Sequence, residues 1–470
     1  MSEKSKGEIL KEELFYKSKH GYESADDESV IKAYEFCKGY KKYLDCGKTE
    51  REAAGESVKI LEKHGFGPYE LGKKYNPGDG VYLNNGGKYI IAARIGEKTV
   101  DHGVNIIASH IDSPRIDLKP RPLYEDNGFA FFKTHYYGGI KKYQWTAIPL
   151  ALHGTVIRAN GEKVEISIGE NENDPVFCIT DLLPHLAKDQ YNKNLADAFT
   201  GEGLNVLAGS RQYAAGPDDK VSEKIKLNIL DILNKQYNMT EGDFISAELS
   251  LVPAAKASDV GFDRSMIGAY GQDDRVCAYP SLTAVAECKD LKNTAVVILA
   301  DKEEIGSEGT TSMQCHIFRH FIEDLAKAQN VCGIKTFMNS KCLSADVNAG
   351  FDPNYADVYE TKNTAFLNCG VALTKYTGRG GKSGSSDASA EYINHIRRLF
   401  DENDILWQIS ELGKVDQGGG GTVAAYIANL NINTVDLGVP VLSMHAPFEV
   451  TSKIDVYMMY KASKAFLEKA

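Results

Sequence analysis

The sequence predicts an α/β protein in which a mixed sheet with helices on both faces is built from residues 1–113 and 254–470 and interrupted by a β-rich insert, residues 114–253. Three observations carry this. Helical stripes and apolar strand-like runs alternate near the N-terminus, the texture turns to short alternating strands after Ser113, and the first pattern resumes after Pro253.

In order along the chain, Ser29 to Leu44 places Val30, Ile31, Tyr34, Phe36, Cys37, Tyr40 and Leu44 at helical spacing, and Thr49 to His64 carries a weaker stripe. "GKYIIAARIG" (87–96) and "VNIIASHID" (104–112) have largely apolar bodies, as buried parallel strands do. In the insert, "HGTVIRANGEKVEISIGE" (153–170) predicts a hairpin, with Asn160-Gly161 as the turn and Val164, Ile166 and Ile168 alternating with Glu165 and Ser167. A helix is expected around Val221 to Tyr237, then a strand at 247–254. "NTAVVILAD" (293–301) predicts a further strand, 313–329 and 384–400 further helices, and "TVDLGVPVLSMHAP" (434–447) a strand followed by a loop.

Composition narrows the function classes. The chain has 470 residues, enough for two or three domains, with 54 basic against 65 acidic residues and a formal charge of -11. That balance argues against nucleic acid or an anionic membrane as the main partner. The N-terminal "MSEKSKGEILKEELFYKSKH" has no apolar core of a secretory signal, and no run of 18 apolar residues occurs. The 9 cysteines are dispersed without a CxxC pair, which suits a reducing cytoplasm and disfavours a cysteine zinc site. "TGRGGKSGSSDAS" (377–389) has Tyr376 where a phosphate loop needs its first glycine, and no Gly-x-Ser-x-Gly elbow is present.

Five segments place metal-competent side chains at or near strand ends, where open α/β sheets build their sites. "ASHIDSP" holds His110 and Asp112, which point the same way on an extended chain. One can ligate through a ring nitrogen while the other orients that ring. "YGQDDRVCAYPSL" holds Asp273 and Asp274, which taken alone read first as helix N-caps and second as a carboxylate bridging two metals. "ILADKEEIGSEGTTS" holds Glu303 and Glu304, a solvated acidic loop unless the backbone turns to give them separate tasks. "CLSADVNAGFDPNYAD" holds Asp346 and "VPVLSMHAPFEV" holds His445, each with an ordinary reading as a turn or packing residue. Together they form a nitrogen and oxygen donor set suited to zinc, manganese or cobalt, and to a two-ion hydrolase. The glycine-rich "VDQGGGGTVAA" (415–425) could present backbone N–H groups to an anion or carbonyl.

With "HIDSP", "YGG" (137–139), "LPHL" (183–186), "QDDR", "EEIGS", "SADVN", "GGT" (420–422) and "SMH" in this order, the sequence resembles the aspartyl aminopeptidase family of dinuclear-metal aminopeptidases, in a bacterial-type form. The resemblance implies an enzyme that releases N-terminal residues from peptides, acidic ones included, using two divalent ions, zinc with manganese or cobalt as alternatives. It implies Asp273 as the bridging ligand, His110 and Asp346 on one ion, and Glu304 and His445 on the other. Glu303 would be the general base and Asp112 the residue that orients His110. It makes 114–253 a dimerisation domain and the protein a cytoplasmic homo-oligomer, a dimer-based dodecamer, in which His185 reaches a neighbour's active site. Substrate contacts would come from Gly421 and from Lys375, with Arg379 and Lys382 competing for the acidic side chain. Two rival readings keep the same scaffold. A metal-dependent deacylase or carboxypeptidase would not require a free amine, and a non-catalytic oligomeric binding protein would usually have lost a ligand or the base.

Overall fold

The computed structural model describes residues 4–17, 19–214, 216 and 220–470. Its largest sheet has nine strands. At the centre Ala295–Ala300, Asn105–His110, Lys341–Ala345 and Asn433–Gly438 run parallel. The apolar strand runs follow from the two cores they serve. In Ala295–Ala300, Val297 and Leu299 join one hydrophobic cluster while Val296, Ile298 and Ala300 join the other. Side chains alternate across a pleated strand, so both parities must be apolar when both faces are covered. Helices Asp27–Cys46, Glu50–Lys63, Gln272–Glu287 and Lys453–Lys469 supply the first cluster, and helix Ile317–Ala328 supplies Phe318, Phe321, Ile322 and Leu325 to the second. Each fully buried Val or Ile contributes about 1.5–3 kcal/mol relative to exposure.

The strand within 87–96 departs from the parallel expectation. Tyr89–Arg94 pairs antiparallel with both Gly80–Asn85 and Ala295–Ala300. Its apolar run reports burial on both faces, which does not depend on strand direction. Helix Ala390–Asp401 begins later than expected, capped by Ser389, whose hydroxyl accepts from the Tyr392 N–H, because the glycine- and serine-rich residues before it form turns. Helix Lys224–Tyr237 excludes Val221, which lies exposed before it.

A second sheet has six strands, all antiparallel and all drawn from Arg115–Pro253. Its hairpin, Leu150–Ile157 and Lys163–Ile168, pairs Val156 with Val164, and its core includes the fully buried Trp145. In it Arg115–Asp126 pairs with Phe129–Tyr137 so that Arg115 lies opposite Tyr137, bringing the end of the second strand to the edge of the large sheet. A third sheet of five strands aligns Ala269 with Glu449. That register places Glu449 beside the start of helix Gln272–Glu287. No described helix is long and apolar enough to cross a membrane.

Candidate active site

The parallel strands deliver acidic and imidazole groups to one edge. His110 is the last residue of its strand, and Asp346 follows Lys341–Ala345 directly. Beyond Ala295–Ala300, Lys302 adopts a left-handed φ of 67° and Glu303–Ile305 forms a single 3-10 turn. This turn gives the adjacent glutamates different directions. Asp301 before them turns away and accepts the Thr311 hydroxyl at 2.6 Å.

Asp273 lies in the first turn of helix Gln272–Glu287, where its backbone is non-helical, and the Asp273–Asp274 peptide is cis. The capping expected of these aspartates is not what the structure has. The N-cap is Gly271, without a side-chain bond, and the free N–H groups of Gln272 and Asp273 are donated to Glu449 Oε2 at 2.6 and 3.2 Å. Glu449 Oε1 accepts the His445 N–H at 2.8 Å. One buried carboxylate therefore fixes the segments carrying Asp273 and His445. Its only sequence signal is its place in "SMHAPFEV", which by itself indicates no role.

Asp273 stands between two imidazoles. Its Oδ1 lies 3.3 Å from His110 Nε2 and its Oδ2 lies 3.1 Å from His445 Nε2. His110 Nε2 also faces Asp346 Oδ1 at 3.8 Å, and His445 Nε2 faces Glu304 Oε1 at 3.6 Å. Two groups of ligand atoms result, His110–Asp273–Asp346 and Asp273–Glu304–His445, each with its atoms within 4.8 Å of one another. Asp112 closes behind His110, with Oδ1 at 3.3 Å from Nδ1, and accepts the N–H groups of Glu303 and Glu304 at 3.2 Å each.

The donor set fits two divalent cations. Asp273 Oδ1 and Glu304 Oε1 are buried with no hydrogen-bond partner among the described residues, a costly state for carboxylate oxygens unless a cation meets them. Burial, with Asp346 and Asp273 adding repulsion, raises the Glu303 carboxyl to about 8. Burial and Asp273 also raise Glu304 well above the usual carboxylate range, and burial raises Asp346. Burial also pushes Asp273 upward, but His110 and His445 outweigh it and hold Asp273 well below the usual range. Burial opposes protonation of His445, yet Asp273 and Glu304 raise it to about 10. These carboxylates ionise together only against compensating positive charge, and Asp273, Asp346, Glu303 and Glu304 match the charge of two divalent ions.

A cavity of about 630 Å³ opens over these groups, lined among others by Glu303, Gly421, Arg379 and Asp436. Lys375, expected as a substrate contact, does not line it. It is exposed and pairs with Asp387 at 3.5 Å, because its side chain leaves strand Val371–Thr374 on the side of the 377–388 turns. His185 lies exposed on a 3-10 turn, Pro184–Leu186, outside the cavity lining. Asp436, whose carboxylate accepts the Thr422 hydroxyl at 2.7 Å, is missed by sequence reasoning, to which it is one more polar residue in a strand. The Tyr137 hydroxyl donates to Asp112 Oδ2 at 2.8 Å, a contact of which "YGG" is the only trace in the sequence.

Residues 43–467 match the family described as Aminopeptidase I zinc metalloprotease (M18). The chain is 45% identical over 466 residues to a probable M18 family aminopeptidase 1 from Clostridium acetobutylicum, covering 97% of this chain and 99% of that one. It is similar to the crystal structure of an M18-family aminopeptidase from Thermotoga maritima, with a TM-score of 0.92, 41% identity and coverage of 97% and 100%. The mApe1 dodecamer of S. cerevesiae shares the fold at a TM-score of 0.74 and 21% identity, covering 94% of this chain and 98% of that one. The chain belongs to the M18 family of zinc metallopeptidases and is an aminopeptidase, hydrolysing peptide bonds at the N-terminus of its substrates.

Proposed function

We propose that the aminopeptidase reaction runs at the paired groups around Asp273, where Asp273, His110 and Asp346 would hold one ion and Asp273, Glu304 and His445 a second. The observation that carries this is that the two oxygens of Asp273 face two different histidines, at 3.3 and 3.1 Å. When bound there, the ions would supply Lewis acidity toward the scissile carbonyl, the substrate's free α-amino group and the attacking water.

The chain's own residues do the rest. Glu303 lines the cavity beside this centre. It takes a proton from the attacking water at a carboxylate oxygen and delivers it to the leaving amine. Asp112 holds the His110 ring with Nδ1 toward it, leaving the Nε2 lone pair for an ion. Gly419, Gly420 and Gly421 line the cavity and present backbone rather than side chains to the peptide. Arg379, which lines the cavity and has no ion pair among the described residues, receives an acidic N-terminal side chain in place of Lys375.

The sheet of residues 114–253 acts as a dimerisation domain, supported by the exposed Leu182, Leu183, Leu186 and Tyr191 around His185. The dimers assemble into a dodecamer, the assembly of the yeast mApe1 protein that shares this fold. Nine unpaired thiols suit work in the reducing cytoplasm.

The deciding experiment compares wild type and Glu303→Ala for turnover and metal content. The expected result is a fall in kcat of about 10²–10⁴-fold with metal content unchanged; equal turnover sinks the role of Glu303. A panel of Asp, Glu, Leu and Lys aminoacyl substrates, each free and N-acetylated, reads specificity. Equal cleavage of N-acetylated peptides would count against a free-amine site.

A further inference from the structure

The six-stranded sheet reaches the catalytic centre at one place. Strand Phe129–Tyr137 ends in Tyr137, and Gly138 and Gly139 follow. Each of these three residues touches a different part of the centre. The Tyr137 hydroxyl donates to Asp112 Oδ2 at 2.8 Å, and Asp112 in turn stands behind His110. Gly138 has a φ of 73°, and a Cβ there would lie 3.2 Å from Glu304 Oε2 and 3.3 Å from Glu304 Cβ. The Gly139 carbonyl accepts from His445 Nδ1 at 2.8 Å. The Tyr137 ring is itself held, since the Arg115 guanidinium lies 4.0 Å from its centroid and pairs with Glu50 at 3.1 Å and Asp117 at 2.8 Å.

We infer that Tyr137-Gly138-Gly139 is a positioning element which sets the affinity of both ion sites from the neighbouring sheet, Tyr137 acting through Asp112 on His110 and on the Glu304 backbone, and Gly138-Gly139 on the Glu304–His445 site alone. The chemistry is that of outer contacts to metal ligands. A hydrogen-bonded imidazole keeps one tautomer and one ring orientation, and loss of such a contact lowers metal affinity about 10–100-fold. The phenol fixes the Asp112 carboxylate, and with it the residue whose backbone carbonyl accepts from His110 Nδ1 at 3.0 Å and whose Oδ1 lies 3.3 Å from the same nitrogen. The Gly139 carbonyl accepts the Nδ1 proton of His445, which leaves its Nε2 free for an ion. Gly138 leaves the space in which the Glu304 carboxylate sits. Asp112 Oδ2 also accepts the Glu304 N–H at 3.2 Å, so the Tyr137 contact serves both sites while the Gly138 contact serves one.

The inference rests on the ligand assignment proposed above, and the test separates the two. His445→Ala leaves only the His110 site and Asp346→Ala leaves only the Glu304–His445 site. Zinc affinity is measured on the metal-free full chain in each background, by competition with a chromophoric chelator. In the His445→Ala background, adding Tyr137→Phe is expected to lower zinc affinity about 10–100-fold and adding Gly138→Ala to leave it unchanged. In the Asp346→Ala background Gly138→Ala is expected to lower zinc affinity about 10–100-fold, and Tyr137→Phe lowers it as well, through the Glu304 N–H held by Asp112. An equal Gly138→Ala loss in both backgrounds, or no Tyr137→Phe loss in the His445→Ala background, overturns the inference, whether or not the melting temperature moves. If wild type binds two ions and either single-site background still binds two, the ligand assignment fails first and takes the inference with it.

Discussion

Glu449 offers the sharpest test of how the centre is held. Its side chain accepts three backbone N–H groups, from His445 at 2.8 Å, Gln272 at 2.6 Å and Asp273 at 3.2 Å, and it is 1% exposed. Glu449→Gln keeps the shape and removes one acceptor. If the amide oxygen keeps Gln272 and Asp273, the NH2 group meets the His445 N–H, donor against donor. One hydrogen bond to a charged acceptor is then lost, worth about 1.5–3 kcal/mol, and a partly buried N–H is left unpaired. His445 has a φ of 65°, a conformation non-glycine residues rarely hold without support. Releasing it frees the ligand of one ion group. Chelator competition on the full chain should show zinc affinity at the His445 site reduced about 10–100-fold, with a lower urea midpoint. Wild-type affinity together with a wild-type midpoint would refute the argument that this carboxylate holds the two segments.

Three other outcomes are expected. His445→Ala should lower metal occupancy to one ion per chain, measured by elemental analysis after dialysis, while retaining the fold seen by circular dichroism. Arg379→Ala should reduce kcat/KM for an aspartyl substrate about tenfold or more relative to a leucyl one, and an unchanged ratio would remove Arg379 from the specificity pocket. On the six-stranded sheet, His153 sits between Glu52 of helix Glu50–Lys63 at 2.8 Å and Glu170 at 3.0 Å. Burial alone would raise Glu170, but His153 and Lys256 lower it from 4.5 to about 2, so its contribution is present above pH 4.5 and is lost as pH falls toward 2. Burial opposes charging of His153, yet Glu170 and Glu52 raise its pKa above 6.5, so its contribution is full below pH 6.5 and is lost as pH rises through the raised value. Glu170→Gln should therefore lower the melting temperature most between about pH 4.5 and 6.5. A deficit that is as large at pH 2 as at pH 5.5 would contradict this.

Elements dictated by local pattern were legible in the sequence. The helix at Glu50–Lys63 begins at Thr49, whose hydroxyl and Glu52 form a capping box, and the hairpin at 153–170 carries its own turn. The strand at Ala295–Ala300 was legible because six consecutive buried residues admit little else. Strand direction was not, as Tyr89–Arg94 shows, since pairing partners lie far away in sequence and burial looks the same either way. The candidate site followed the same division. His110, Glu304, Asp346 and His445 could be picked out as donors at strand ends, but Lys375 could not be told from Arg379. Both are cations in one polar stretch, and only the turns decide which faces the cavity.

By itself, then, the sequence determined which donors exist and that both faces of the central strands are buried, because side-chain chemistry and alternation are local properties. The tertiary structure alone decided that Asp273 stands between His110 and His445, that Glu449 rather than an aspartate caps the helix, and that Tyr137 from another sheet meets Asp112. Those contacts join residues more than a hundred positions apart, or across a sheet register, and arise only when packing brings their backbones together.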